Sequence, residues 1–478
     1  MSLLVLLALA APPDAVPADA DRPNVVVIWS DDLSAYALGC YPIGDRTEAG
    51  RRTPNIDRLA TRSVVFDRAY CAFPVCGPTR LATMAGMDPQ SLGVMGNYED
   101  VAVTNDALAD RPSLSQAFAA DGYRTMRSGK IYHMRVPGDI TAGVAGPDHT
   151  PSWDETYNAH APEWMTEGEH EHPGKTTLRF DRDKHYRLGF GGAFYIVEGE
   201  SDGGEQADSL IADHAVRMIR ENAKRPFFLG VGFVRPHVPL VAPAGEFADI
   251  DAKSLGLPAT VAGDHKGLPR MFHGATSTSL GLDDDTEKRR VLQAYFAATS
   301  FMDAQVGRVL AAIDEAGLTE RTIVVFLSDH GYHLGEHDYW QKFSIYEETV
   351  RIPMMVAGPG ISPRRTDALA SQLDLYPTLC ELAGIDRPPH LQGVSLVPVL
   401  GGSSDSVQDA VTSVCGRRGR MLRTDRWAYL RGAGGEALFD MASDPGQHKD
   451  VKGSQPQALE AMRSRMDALL DDRGIGIE

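Results

Sequence analysis

Two uninterrupted apolar runs constrain this chain more than any other feature: Asn24–Ser30 reads NVVVIWS and Thr322–Leu327 reads TIVVFL. Runs of this kind mark strands buried on both faces, as in a parallel sheet covered by helices on either side. Each run stops at polar groups, Asp31-Asp32 after the first and Ser328-Asp329-His330-Gly331 after the second. Open α/β sheets place their ligands at the carboxyl ends of strands. Two adjacent acids there suit a hard divalent cation, which takes several oxygen ligands. Acids in this position also cap turns, and for Asp31-Asp32 alone that is the commoner reading. Two strand ends of the same kind are far rarer by chance.

The remaining elements fit a layered α/β chain. Thr53–Ala60 starts as a helix with Pro54 in its first turn, and Ser63–Phe66 reads as a strand. Ser113–Asp121 predicts a helix and Tyr123–Arg127 a strand. Ala207–Asn222 is amphipathic at helical spacing, followed by a strand over Phe227–Val234. A long helix over Arg289–Ala316 stops at Gly317. Ile352–Val356 is a further strand and Leu373–Leu382 a helix. After Gly401-Gly402-Ser403-Ser404, short strands over Gly419–Leu422, Trp427–Arg431 and Ala437–Asp440 precede a helix from Gln457 to Leu470. Residues 136–204 show little periodicity and read as a long pocket-shaping insertion. Its aromatic residues Trp153, Tyr157, Trp164 and Tyr195, with His160, are subsite candidates, though packing is the commoner role of such residues.

Three loops carry further chemistry. The run AYCAFPVCGPTRLATMAG contains Cys76-Gly77-Pro78-Thr79-Arg80, with Thr79–Ala85 predicted helical. A nucleophile at a helix N-terminus sits among free N–H groups that favour an anionic oxygen. Ser128-Gly129-Lys130-Ile131-Tyr132-His133 places a lysine and a histidine three apart after a glycine turn. In Arg235-Pro236-His237-Val238-Pro239, prolines on both sides of the histidine are expected to exclude regular structure and fix it for proton transfer. For the lysine–histidine pair a solvated turn, and for His237 a structural histidine, is the plainer alternative.

At 478 residues the chain exceeds one compact core, so a large domain with a smaller one is expected. Its 47 basic and 65 acidic residues give a net charge of −18, which argues against nucleic acid or an anionic membrane as a general partner. Attraction of an anionic substrate must then come from a local cluster of cations. Leu3–Ala11 is a short apolar run followed by Ala18-Asp19-Ala20, which reads as a signal peptide over residues 1–20, without basic residues ahead of it. Export to a periplasm or medium is expected, with no membrane span. The cysteines are Cys40, Cys71, Cys76, Cys380 and Cys415, and their pairing is not legible.

Taken together, NVVVIWSDDL, TPNIDRLA, CGPTR, SGKIYH, FVRPHVP, VVFLSDHGYHLGEHDYWQK and LFDMASDPGQHKDV resemble the type I, formylglycine-dependent sulfatases, in particular their iduronate-2-sulfatase-like branch. The resemblance implies an α/β, alkaline-phosphatase-like sandwich with a large mixed central sheet. It further implies a catalytic domain over 21–400 and a small C-terminal α/β subdomain over 401–478. It implies that a maturing, formylglycine-generating enzyme oxidises Cys76 to an aldehyde whose hydrate attacks sulfur. One calcium ion would be held by Asp31, Asp32, Asp329, His330 and position 76, with no second, zinc-type cluster. Arg80, Lys130, His133 and Lys342 would gather as cations around the sulfuryl group, and His237 or Lys342 would protonate the leaving alcohol, His237 being preferred. The chain departs from the family at Thr79, where serine is commoner, and at Ala85-Gly86-Met87, where Thr-Gly-Arg is usual. The expected substrate is a sulfated saccharide. An aryl or choline sulfatase, a phosphonate monoester hydrolase, or an inactive glycan-binding relative are the alternatives.

Overall fold

The computed structural model describes residues 22–42, 49–174, 194–264, 266–416 and 419–476. The signal peptide expected over 1–20 and part of the 136–204 insertion lie outside the described residues. Among the described residues, eight strands form the central sheet: β1 (Asn24–Asp31), β2 (Val64–Tyr70), β3 (Arg124–Gly129), β4 (Glu155–Tyr157), β5 (Phe227–Pro236), β6 (Thr322–Ser328), β7 (Arg351–Ala357) and β8 (Arg364–Ser371). Their order is β8-β2-β7-β6-β1-β5-β3-β4. Only β7 runs against its neighbours; every other pair is parallel.

The two apolar runs lie side by side at the centre, Asn24 opposite Thr322 through Ser30 opposite Ser328. Alternation along β1 then feeds two cores, because successive side chains leave opposite faces of a strand. Val26 and Ile28 pack with Ile56, Ile211 and Met302 from helices on one side. Val25, Val27 and Trp29 pack with Leu81, Phe118 and Leu379 on the other. All of these residues are withdrawn from water, which is why the runs read as continuously apolar.

Residues 136–204 are only partly an insertion. Glu155–Tyr157 closes one edge of the central sheet as β4. Gly168–Glu171 and Ile196–Gly199 form a small sheet with Leu240–Pro243. Trp153, Trp164 and Tyr195 are packing residues, while His160 is exposed. A second correction concerns His237: strand β5 continues through Pro236, which pairs with Asp31, so the preceding proline does not exclude regular structure. The peptide bonds before Pro236 and Pro239 are both cis.

The C-terminal subdomain is an antiparallel sheet of β9 (Ala410–Cys415), β10 (Gly419–Thr424), β11 (Trp427–Gly432) and β12 (Gly435–Asp440). Leu422, Tyr429 and Leu438 on one face bury Met462 and Met466 of the helix Pro456–Asp472. The opposite face, with Met421, Leu430 and Phe439, joins a core of the main domain. Sequence patterning missed β8, β9 and the helix Val101–Leu108.

One close approach in the sheet positions the site. Gly232 on β5 faces the backbone at Lys130, and a Cβ there would lie 1.9 Å from the Lys130 carbonyl oxygen. Gly129, at φ +80°, makes the reciprocal approach to the Gly232 carbonyl, which also accepts from Lys130 N at 2.9 Å. Gly232→Ala must push β3 and β5 apart, and overpacking of this kind costs about 1–3 kcal/mol. We predict a thermal midpoint several degrees below wild type by calorimetry, and an unchanged midpoint would show that this contact does not set the position of Lys130.

Candidate active site

The ends of β1 and β6 are laced together by their own polar groups. Asp329 Oδ1 accepts from the backbone N–H of Asp32 (3.1 Å) and of His330 (2.9 Å). Ser328 Oγ accepts from Leu33 N at 3.0 Å and donates to the His330 carbonyl at 2.7 Å. Asp32 takes a left-handed backbone, φ +65°, which aspartate tolerates better than most residues. Tyr295, from the long helix Asp285–Glu315, holds that turn by donating to the Asp32 carbonyl (2.6 Å) and accepting from Ser34 N (2.9 Å).

Cys76 is the first residue of a wholly buried helix, Cys76–Ala85, which starts earlier than predicted. Its Sγ lies 3.4 Å from Asp31 Oδ1, 3.5 Å from His330 Nε2 and 3.1 Å from Lys342 Nζ. Gln372, just past β8, fixes the helix to the end of β6. Its Oε1 accepts from Thr79 Oγ1 at 2.6 Å, while its Nε2 donates to the carbonyls of Ser328 and Asp329, both at 2.8 Å. Asn97 Oδ1 accepts from Gly77 N at 2.8 Å, satisfying one free donor of the helix start.

Three cations face the three carboxylates. Lys130 Nζ pairs with Asp31 Oδ2, Lys342 Nζ with Asp32 Oδ1 at 2.6 Å, and Arg80 Nε with Asp329 Oδ2 at 2.9 Å. Burial alone would raise the Asp31 carboxyl; the Lys130 ammonium, with His237 and Arg80, holds it well below the usual carboxylate range. The same contest at Asp32, decided by Lys342, His237 and His330, lowers that group too. Burial would depress Lys342, but Asp32 and Cys76 keep its ammonium well above the ordinary lysine value.

The sequence-predicted residues therefore meet in one place, with one difference in orientation and one in charge. Arg80 spends its donors on Asp329 and on the carbonyls of Lys130, Ile131 and Ser30, and lies over the Trp29 ring. It supports the carboxylates from behind. His133 stacks at a tilt on Tyr98. Its burial, then the nearby Lys130 charge, lowers it well below the ordinary imidazole value, so it presents a neutral ring where a cation was expected. His237 Nδ1 donates to the Val238 carbonyl at 2.6 Å, leaving Nε2 3.9 Å from Asp32 Oδ2.

The family model described as Sulfatase matches residues 23–385, three quarters of the chain. The chain belongs to the sulfatase family. It is therefore a sulfuric ester hydrolase, and a model described as the C-terminal part of N-sulphoglucosamine sulphohydrolase matches residues 335–472. This sulfatase is 30% identical to a sulfatase of Formosa agariphila over 95% of this chain and 88% of the relative. It is 29% identical to the iduronate 2-sulfatase of Mus musculus over 77% of this chain and 70% of the relative. The solved phosphonate monoester hydrolase of Agrobacterium radiobacter shares its fold, with a TM-score of 0.73 at 21% identity over 95% of this chain and 96% of that one.

The donor set suits a metal. Asp31, Cys76, Asp329 and His330 offer ligand atoms within 4.8 Å of one another, as do Asp31, Asp32, Cys76 and His237. His330 Nδ1 donates to the Gly331 carbonyl at 2.9 Å, so its Nε2 lone pair points into this group, as a ligand requires. Sequence reasoning missed Asn97, Gln372 and Tyr295, because each acts through backbone groups and none stands in a recognisable motif.

Gln372→Leu would strip Thr79 and two buried carbonyls of their partner at once, and unsatisfied buried groups cost about 1–3 kcal/mol. Denaturant unfolding should show a loss of that size, and equal stability would mean that the glutamine does not hold the cysteine helix.

Proposed function

We propose that this sulfatase removes an O-sulfate from a sugar of a sulfated saccharide, using formylglycine made from Cys76 and one calcium ion. The observation that carries this reading is the charge of the pocket. Asp31, Asp32 and Asp329 are balanced by Lys130, Lys342 and Arg80, gathered around the Cys76 side chain and all buried except Lys342, whose side chain is 11% exposed. A dication added to a balanced cluster leaves a local positive excess, which an anionic ester needs on a chain of net charge −18. Calcium fits better than zinc because carboxylate oxygens dominate the donors.

A formylglycine made from Cys76 would supply, as its hydrate, a hydroxyl nucleophile, and a calcium ion, which Asp31, Asp32, Asp329 and His330 would hold, would supply fixed positive charge. The chain's own residues do the rest. Lys130 and Lys342 hold two further charges beside the nucleophile, where they stabilise the negative oxygens of the transition state. Arg80 is a positioning residue for Asp31 and Asp329. His133 presents a neutral ring beside Lys130. His237 is the general acid: with Nδ1 holding its proton on the Val238 carbonyl, the imidazolium passes the Nε2 proton to the leaving alcohol oxygen and remains a neutral ring.

A saccharide substrate is supported by the similarity to an iduronate 2-sulfatase and by an open cleft of about 1100 Å³ between the domains. Two residues of its wall touch the neighbourhood of the site: Asn97 accepts from Gly77 N, and Tyr98 lies against the His133 ring. The volume of the cleft exceeds that of most small-molecule pockets. The expected export rests on the first twenty residues; among the described residues no helix is long and apolar enough to cross a membrane.

Two measurements test this reading. Tryptic digestion should yield the fragment Ala69–Arg80 lighter by one sulfur and two hydrogens and heavier by one oxygen, and reactive toward hydrazides. Unmodified Cys76 in protein from the native host would overturn the nucleophile. The converted protein should release sulfate faster from sulfated uronate or hexosamine oligosaccharides than from aryl sulfate, choline sulfate or phosphonate esters; the reverse order would overturn the substrate class. In the same assay Lys342→Ala should lower kcat/KM by about 100-fold or more, the scale of a lost transition-state charge contact.

A further inference from the structure

Away from the catalytic pocket, three distant stretches bring a second group of ligand atoms together. Asp264 lies in the loop after the first half of the chain, His337 in the loop that leads to Lys342, and His448 beyond the last strand of the C-terminal subdomain. Asp264 Oδ2 lies 2.8 Å from His337 Nδ1 and 3.1 Å from His448 Nδ1, and the two imidazole rings stand 4.9 Å apart. This cluster departs from the single metal site expected from the sequence.

We propose that Asp264, His337 and His448 form a second, structural metal site for a borderline divalent cation of the zinc type. Two imidazole nitrogens and one carboxylate oxygen are a zinc-type donor set, unlike the oxygen-rich active site. Zinc bonds of about 2.0–2.1 Å in tetrahedral geometry separate neighbouring ligand atoms by roughly 3.3–3.4 Å. The two distances measured here need to open by only a few tenths of an ångström.

The far side of His337 supplies the independent observation. Its Nε2 is buried without a hydrogen-bond partner, and so is Glu348 Oε2, 3.8 Å away. The His337 side chain is 1% exposed and that of Glu348 6%. If Nδ1 merely donates to Asp264, a neutral His337 turns a lone pair toward a carboxylate, two acceptors face to face in a dry place. A metal on Nδ1 places the proton on Nε2, aimed at Glu348, the metal–histidine–carboxylate arrangement that fixes ligating imidazoles. An imidazolium at position 337 would answer the same geometry without a metal, and the experiment separates the two. His448, one third exposed, leaves a path from solvent for the ion.

Such a site would join the C-terminal subdomain to the loop that delivers Lys342. That loop holds His337, Asp338 and Gln341 in left-handed backbone, a conformation that persists where surroundings enforce it.

The test uses the full chain without a histidine tag, dialysed against Zn²⁺ with millimolar Ca²⁺ present, and counts bound zinc by elemental mass spectrometry. One zinc per chain is expected for wild type and for Asp31→Asn, and none for His448→Ala or Asp264→Asn. Absence of zinc from wild type, or equal zinc in all four proteins, would overturn the site in favour of an imidazolium held between two carboxylates. A crystal of the zinc-treated wild type keeps the test independent of whether the variants fold. An anomalous peak at the zinc edge within bonding distance of His337 Nδ1 and His448 Nδ1 supports the site, and no peak there refutes it. Neither measurement depends on the identity of the sulfate ester.

Discussion

The structure turns on a compensation of buried charge at the ends of β1 and β6. Three carboxylates and three cationic side chains share a pocket from which water is almost excluded. An isolated ion in such surroundings costs several kcal/mol, and a pair recovers this only with good geometry and saturated hydrogen bonds. Here each carboxylate has its own cation, and Asp329 also receives two backbone N–H groups. Removing any member takes the nearest counter-charge from its partner, and the second contact of Arg80, with Asp31, is longer at 3.8 Å. The site is therefore a single unit, which is why so much of the fold is committed to holding it.

That commitment shows in the elements around it. Parallel pairing of β1 and β6 brings Asp31 and Asp329 to one edge of the sheet, and the contact between Gly129 and Gly232 lets Lys130 come close from β3 through β5. Gln372 ties the cysteine helix to the end of β6. The C-terminal sheet supports the loop ahead of the cysteine, since Val414 N donates to the Ala72 carbonyl at 2.9 Å. Arg420 of that sheet pairs with buried Asp88 just beyond the cysteine helix. The smaller unit thus braces Cys76 from outside the main sheet.

How much of this could be read from the chain depended on whether the signal was local. Val25–Trp29 and Ile323–Leu327 are apolar because both faces of their strands are covered, so the central strands and the acids at their ends were legible together. β8 was not, because RRTDALAS begins with exposed and half-exposed polar residues at the sheet edge; Gln372, placed by β8, was missed with it. The identity of Arg80 was legible, but its direction was not. Whether a guanidinium faces the substrate or the carboxylates depends on how the helix Cys76–Ala85 sits against β1. The charge state of His133 depends on its burial beside Lys130, which no spacing reveals. Asp264, His337 and His448 escaped for the plainest reason: no window of sequence contains all three.

The most direct test of the account is a calorimetric titration of calcium into wild-type protein and into Asp329→Asn. If the buried carboxylates are held as a cation site, wild type binds one calcium per chain at the active site. Asp329→Asn, which removes one ligand charge and leaves Arg80 only its longer contact with Asp31 (3.8 Å), binds it at least about 100-fold more weakly, or about 2.7 kcal/mol at 1.36 kcal/mol per decade. Equal affinity in the two proteins, or no binding by wild type, would contradict the reading of the β1–β6 cluster as the centre of the enzyme.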